Sequence, residues 1–476
     1  MLEIKQMTSI IFYGGVNEIG GNKILLTDKD TKVFLDFGKS FSRRTKYFEE
    51  YINPRISNGI TDFLTMGLIP DIDGVYRNDL LEMTGKKLVD SEVDAVFLSH
   101  AHSDHSDYIS FLNEKIPIYM GETCYLILQA LADRSNRTFE REILAYSPKP
   151  SKYGHQSIQR KINTFRTGDK IKIGSLEVEP IHVDHSVPGA YGFIIWTTEG
   201  PIVYTGDIRI HGTHSQMSWD FIEKATQVKP IALIVEGTRV NKLGIKESEE
   251  TVFKDSYKII SSTDRLVLAD FNFKDVDRLR TFYDIAIETD RKLVIKLNDV
   301  YFLKYLAEDH HLDIPKLDDE HIIVYLPKRD SGKYIDKDYT TKEREFLNLN
   351  NIWTAEEIAR NESKALCTIG FYNFNALIDM NLPSGAHYIH SASEPYNEEQ
   401  EISQLRVNAW LNHFGIASHQ SHCSGHAAQE DLIEIVSSIS PKVIYPIHTE
   451  HPEIYQKKVK NTIQTKENIK YELEFV

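Results

Sequence analysis

The chain has 476 residues, 41% hydrophobic and 26% charged, ordinary for a globular protein and long enough for two or three domain cores. Its 70 acidic and 55 basic side chains leave a formal charge of −15, which speaks against non-specific nucleic-acid binding, since phosphate affinity comes from lysine and arginine. No stretch approaches the roughly 18 apolar residues of a membrane span, Met1 to Thr8 lack a secretion signal, and three scattered cysteines (Cys124, Cys367, Cys423) build no disulfide framework or thiolate metal cluster, so a cytoplasmic protein without membrane contact is expected.

Residues 10–38 read as short strands. Ile10 to Tyr13 runs into Gly14-Gly15, a Gly/Asn turn follows at Asn17 to Asn22, and Lys23–Thr27 with Lys32–Phe37 forms a hairpin closed by Asp36-Phe37-Gly38. Asp36, at a strand end before glycine, is placed to orient a metal-binding histidine from behind, or equally to serve as a turn residue. Residues 39–90 carry the loop signals Arg43-Arg44-Thr45-Lys46 and Ile69-Pro70-Asp71 and read as an elaborated surface segment with short helices.

The apolar strand Ala95 to Leu98 then delivers Ser99-His100-Ala101-His102-Ser103-Asp104-His105-Ser106, four metal-capable side chains within six residues. Strand alternation puts His100 and His102 on one face, about 7 Å apart in backbone rise, so both imidazoles reach one ion. Asp104 and His105, on a loop turning into a helix from Tyr108, can face a second ion. Imidazole with carboxylate suits zinc, or manganese and iron at lower affinity. A solvated, histidine-rich turn has no packing reason to cluster these residues in this order.

Ile116 to Met120 is a further strand and Glu122 to Ala132 an amphipathic helix with Leu126, Leu128 and Leu131 in the core. Strands at 162–166, 170–173, 176–183, 192–197 and 202–204 carry His182-Val183-Asp184-His185-Ser186-Val187-Pro188 and end in Thr205-Gly206-Asp207, a strand-end aspartate placed to bridge two ions. Beyond 240 strands and helices alternate (266–269, 275–287, 293–295, 300–307, 322–326, 354–360, 365–369, 386–389, 399–414), which implies crossover units and a parallel sheet in a second α/β module. The C-terminal part holds His422-Cys423-Ser424-Gly425-His426, a helix at 431–436, and a strand running into Pro446-Ile447-His448.

This combination resembles the metallo-β-lactamase fold: Gly14 to Gly20, Leu35-Asp36-Phe37-Gly38, the His-x-His-x-Asp-His cluster, His185-Ser186-Val187-Pro188 and Tyr204-Thr205-Gly206-Asp207. Glu236-Gly237-Thr238, Ser424-Gly425-His426-Ala427 and Pro446-Ile447-His448 are similar to the added motifs of its β-CASP nuclease branch, with ribonuclease J-like proteins as the nearest type, over about residues 10–455. The resemblance implies an αββα sandwich (1–244 and 421–476) with an inserted parallel-sheet β-CASP domain (245–420). It implies that His100, His102 and His185 hold one Zn2+, that Asp104, His105 and His448 hold the other, and that Asp207 bridges them, with Mn2+ as the alternative metal. His422, Ser424 and His426 then match the pattern that contacts the scissile phosphate, and Glu236 the carboxylate that orients His426. His182 is a rival to His185, which the following Ser-x-Pro favours.

The implied activity is hydrolysis of single-stranded RNA by a two-metal-activated water, in exonuclease or endonuclease mode, with Asp104 able to accept the water's proton and a protonated His426 able to donate to the leaving oxygen. His448 favours RNA within the family, since Artemis-type DNA nucleases tend to be aliphatic there. DNA as substrate, a lactonase- or thioesterase-type metallohydrolase and a non-catalytic scaffold are the other readings. The inserted module argues against the metallohydrolase and the filled ligand positions against the scaffold. Ribonuclease J-like proteins usually carry a further C-terminal domain that supports oligomerisation, and only a short tail follows Glu450, so a homodimer is left open. The stretch between Gly38 and His100 is longer than typical, so the entrance to the cleft is expected to differ.

Overall fold

The computed structural model describes residues 7–49, 51–134, 139–149, 156–244, 247–393 and 398–473. The chain divides into two compact units: Met1–Ile210, His214–Ile245 and Gly425–Val476 form the first, His211–Thr213 and Lys246–Ser424 the second.

The first unit is built on two sheets. One has the order Lys470–Glu472, Ser9–Gly14, Lys23–Asp28, Thr31–Phe37, Ala95–Leu98, Ile118–Gly121, Ile162–Phe165, antiparallel up to Thr31–Phe37 and parallel beyond it. The other has the order Val443–Pro446, Ala232–Val235, Pro201–Tyr204, Tyr191–Trp196, Leu176–His182, Ile171–Ile173. Side chains alternate across a strand, so Ile10 and Phe12, Ile24 and Leu26, Val33 and Leu35, Ala95 and Phe97 share one face. They pack with Val178, Phe193, Ile195, Ile202, Ile234 and Tyr445 of the second sheet in a single core. Each valine, leucine, isoleucine or phenylalanine among them, fully removed from water, contributes about 1.5–3 kcal/mol.

The opposite face of the second sheet (Ile194, Val203, Leu233, Val235) is covered by Phe221, Ile222 and Ala225 of helix Ser215–Val228 and by Leu432, Ile435, Val436 and Ile439 of helix Gln429–Ile439. Helix Glu122–Arg134 lies beside the strands at the far edge of the first sheet; its Leu126 and Leu128 are buried, whereas Leu131 is half-buried. This is the expected helix–sheet–sheet–helix sandwich.

Two local expectations change. Helical structure after the histidine cluster begins at Ser103, not Tyr108, and continues as a tighter turn over Asp107–Phe111. The 39–90 segment contains the expected short helices Phe41–Tyr47, Thr61–Thr65 and Asn78–Glu82 but is no mere surface elaboration. Phe63 is fully buried, its ring 4.8 Å from Phe111 and 5.7 Å from both Tyr108 and Phe139. Such aromatic contacts pair residues distant in sequence, so local pattern does not reveal them.

In the second unit seven strands lie in the order Ile352–Trp353, Ile322–Tyr325, Lys292–Lys296, Ala365–Cys367, Val267–Asp270, His387–His390, Ala417–Gln420, every neighbouring pair parallel as expected. Helix starts follow side-chain caps: Asp275 accepts from Arg278 N (3.1 Å) ahead of Val276–Glu288, and Thr354 with Glu357 forms a capping box for Ala355–Arg360. Cys124, Cys367 and Cys423 are buried thiols. Among the described residues no helix is long and apolar enough to cross a membrane.

Candidate metal centre

Six strands of the first unit deliver polar residues just at or beyond their carboxyl ends: Asp36, the 100–105 loop, His185, Asp207, Glu236 and His448. Strand alternation does not carry the first two histidines, because the strand stops at Leu98 and Ser99 to His102 is a loop. The loop nevertheless brings His100 Nε2 to 3.1 Å from His102 Nδ1, which is itself 3.1 Å from His185 Nε2. Asp207 Oδ2 lies 3.5 Å from His100 Nε2 and 3.7 Å from His185 Nε2. A tetrahedral zinc with bonds of about 2.0–2.1 Å holds its donors about 3.3 Å apart, so these four atoms are spaced as one coordination shell.

A second group lies against it. Asp104 Oδ2 is 3.2 Å from His448 Nε2 and 3.9 Å from His105 Nε2. Asp207 reaches this group too, with Oδ2 3.3 Å from His105 Nε2 and Oδ1 3.7 Å from His448 Nε2. The buried Asp207 carboxylate therefore touches both donor sets.

Tautomers make the case for a cation. His105 Nδ1 donates to Asp36 Oδ2 (2.8 Å), His100 Nδ1 to Ser99 Oγ (3.0 Å), His185 Nδ1 to the Gly425 carbonyl (2.5 Å) and His448 Nδ1 to Thr238 Oγ1 (2.8 Å). In the neutral form each then presents a bare Nε2 lone pair inward, and lone pairs do not bond one another. His105 Nε2 and Asp207 Oδ1 are buried with no hydrogen-bond partner, a costly arrangement unless an ion satisfies them. Burial pushes His100 well below its ordinary pKa and takes His185 down to about 3, so both stay neutral and ready to coordinate, whereas at His105 and His448 burial is outweighed by Asp207 and the neighbouring carboxylates, which favour a positive charge at that place. The donor set fits zinc.

Asp36 holds the loop from behind. Its Oδ1 accepts from Ser99 N (2.7 Å), while Oδ2 accepts from Ser99 Oγ (2.8 Å), Tyr204 Oη (2.6 Å) and His105 Nδ1. Asp36 and His448 both adopt left-handed backbone, φ 57° and 52°. Such strain of about 1–3 kcal/mol per residue gathers where a side chain must be aimed. Ser99, Tyr204 and Thr238 escaped sequence reasoning as supports, although Tyr204 and Thr238 lie inside motifs that were legible. Hydroxyl partners carry no spacing signal of their own.

Gly38 shows how tightly the loop is seated, since a Cβ there would overlap the Asp104 carbonyl. Gly38→Ala is expected to cost about 1–3 kcal/mol of stability through overpacking and to lower bound zinc. Thermal melting and elemental analysis test this, and an alanine variant with wild-type values in both contradicts it.

Beside the donor groups, His426 Nδ1 donates to Glu236 at 3.0 and 3.1 Å and lies 3.9 Å from Asp207. Ile208 N (2.9 Å) and Thr238 N (3.1 Å) fix the Glu236 carboxylate. Burial pushes His426 down, but the Glu236 and Asp207 charges outweigh it and raise its pKa to about 9. His182 stays outside, hydrogen-bonded to Thr167 Oγ1 (2.9 Å) and packed on Tyr191. His422 and Ser424 belong to the second unit. There His422 Nδ1 accepts from Arg278 (3.3 Å), the fully buried guanidinium of which also bonds Glu249 and the Ser391 carbonyl, and the Ser424 carbonyl accepts from His211 Nε2 (2.8 Å).

Residues 72–242 match the beta-lactamase superfamily domain, and residues 418–469 match the Zn-dependent metallo-hydrolase RNA specificity domain. The chain is similar to ribonuclease J of Mycoplasma genitalium (22% identity over 94% of this chain and 68% of that protein), to ribonuclease J of Helicobacter pylori J99 (21%, 96% and 58%) and to ribonuclease J2 of Bacillus subtilis (22%, 93% and 69%). It also resembles the crystal structure of a protein of unknown function from Enterococcus faecalis V583, with TM-score 0.74 and 25% identity over 98% of this chain and 100% of that one. Together with the sandwich and its histidine–aspartate cluster, these matches give the chain a metallo-β-lactamase domain and an RNA specificity domain, and make it similar to ribonuclease J proteins of the β-CASP family.

Proposed function

We propose that the protein is a cytoplasmic zinc-dependent ribonuclease that hydrolyses phosphodiester bonds in single-stranded RNA with two ions. The observation that carries this reading is Asp207, within 3.3–3.7 Å of donors in both groups. In this reading His100, His102 and His185 would hold one ion and Asp104, His105 and His448 the other, with Asp207 facing both donor groups. Zinc bound there supplies Lewis acidity and an activated water at neutral pH.

The chain's own residues do the rest. Asp104 accepts the proton of the attacking water. Asp36 and Thr238 keep His105 and His448 in the tautomer that presents Nε2. His426, held charged by Glu236, donates to the leaving oxygen or to the phosphoryl group, and its side chain is one-fifth exposed, so a substrate can reach it. His422 and Ser424 are proposed phosphate contacts of the second unit. The match to an RNA specificity domain over 418–469, which contains His422, Ser424, His426 and His448, supports RNA over a small-molecule substrate.

Two divalent cations against two aspartates leave roughly +2 locally, which answers the −15 of the whole chain. End-labelled single-stranded RNA and DNA, incubated with the protein with and without a chelator, test the reading. RNA cleavage abolished by chelation and restored by zinc or manganese is expected, and the labelled products report exonuclease or endonuclease mode. Cleavage of DNA alone selects the DNA-nuclease alternative, and cleavage of neither contradicts the proposal.

A further inference from the structure

The segment Lys39 to Phe48 contains four cations (Lys39, Arg43, Arg44, Lys46) and no acid, in a chain with net charge −15. It forms the helix Phe41–Tyr47, capped by Ser40, with no buried residue in it. Seven residues are too few for a helix to persist by propensity alone, so its tethers hold it. Ser40 Oγ donates to Glu18, Arg43 pairs with Glu18 (3.1 Å) and Glu467, and Arg44 pairs with Glu140 (3.1 Å). The tethers lead straight to the candidate metal centre. Lys39 N donates to the Ser103 carbonyl (3.1 Å), and Gly21 N and Asn22 N donate to the Asp104 carbonyl (3.0 and 3.1 Å).

Three aromatic rings are left outward on and just after this helix: Phe41 38%, Tyr47 42% and Tyr51 84% exposed. Cations interleave with two of them, Lys39 Nζ 5.9 Å from the Phe41 ring centre and Lys46 Nζ 5.4 Å from that of Tyr47. A protein-binding patch is depleted of charge at its centre. Exposed rings alternating with cations, as from Lys39 to Tyr47 with Glu49 then preceding Tyr51, are instead the makeup of a single-stranded nucleic-acid platform, where bases stack on rings and cations follow the backbone.

We propose that Tyr47 and Tyr51, with Phe41 and Lys46, form a base-stacking platform that feeds single-stranded RNA toward Asp104. This rests on the ribonuclease reading above and specifies where that substrate is held. Because Lys39 and both arginines already answer to acids (Lys39 to Glu140 at 3.3 Å), stacking carries most of the platform's affinity and Lys46 a smaller, salt-dependent share.

Fluorescence anisotropy of a labelled single-stranded oligoribonucleotide, with the full chain in chelator so that the RNA stays intact, tests it. Tyr47→Ala and Tyr51→Ala should each weaken binding about tenfold, Tyr51→Trp should retain it, and Lys46→Ala should flatten the salt dependence by about 0.7 in log–log slope. Zinc content before chelation and thermal melting should match wild type, because none of these side chains is buried. Binding within twofold of wild type in the Tyr47→Ala/Tyr51→Ala double variant overturns the platform while leaving the ribonuclease reading standing. So does a change in oligomeric state in place of weaker RNA binding, since the exposed Ile52 and Ile56 would then belong to a protein interface. A wild-type chain that neither binds nor cleaves the RNA sinks both.

Discussion

His426→Ala is expected to leave the zinc content unchanged and to lower turnover on single-stranded RNA by about 100-fold or more, the usual size of a positioned acid or charge-stabilising donor. The geometry separates the two readouts. His426 spends Nδ1 on Glu236 at 3.0 Å and stands 3.9 Å from Asp207, so it is not needed to complete either donor group. Its charge comes from a carboxylate that two backbone amides hold in place, which makes Glu236→Gln a milder version of the same lesion: metal retained, turnover reduced by less. Steady-state rates paired with elemental analysis check both variants. Unchanged turnover in His426→Ala removes this residue from the mechanism, and loss of metal makes it a structural support.

Asp207→Asn is expected to do the opposite, lowering metal occupancy and turnover together. Loss of a supporting partner behind a ligand costs about 10–100-fold in metal affinity. Loss of the carboxylate shared by both donor groups should exceed that and act on both ions, bringing turnover to background. An amide keeps the shape but removes the anion that faces His100, His105, His185 and His448 at once. Full metal content in Asp207→Asn argues against a shared ligand.

The contrast between these residues explains what could be read from the sequence. The His-x-His-x-Asp-His cluster stood out in the sequence because four metal-capable side chains follow an apolar strand within six residues, whereas His185 and Asp207 were singled out as ligands through the family resemblance, since one polar residue at a strand end carries little signal by itself. The sheets were legible for a related reason, since alternation and β-branched runs at 9–37 and 176–204 leave few other structures open. What could not be read was the support. Tyr204 reaches Asp36 across 168 positions, and Thr238 reaches His448 across 210. Nor could the burial of Phe63 be read, because its partners at 108, 111 and 139 arrive only once the chain folds. Arg278, fully buried between Glu249 and His422, stood in a helix where an arginine ordinarily marks the solvent face.

Seven side chains between positions 100 and 448 are proposed to form a pair of adjoining cation sites. Native mass spectrometry of the zinc-loaded chain measures this directly. Two zinc ions per chain are expected, both lost in Asp207→Asn and both kept in His426→Ala. A single ion that survives replacement of Asp207, or no bound ion at all, rules out a paired site built on that carboxylate.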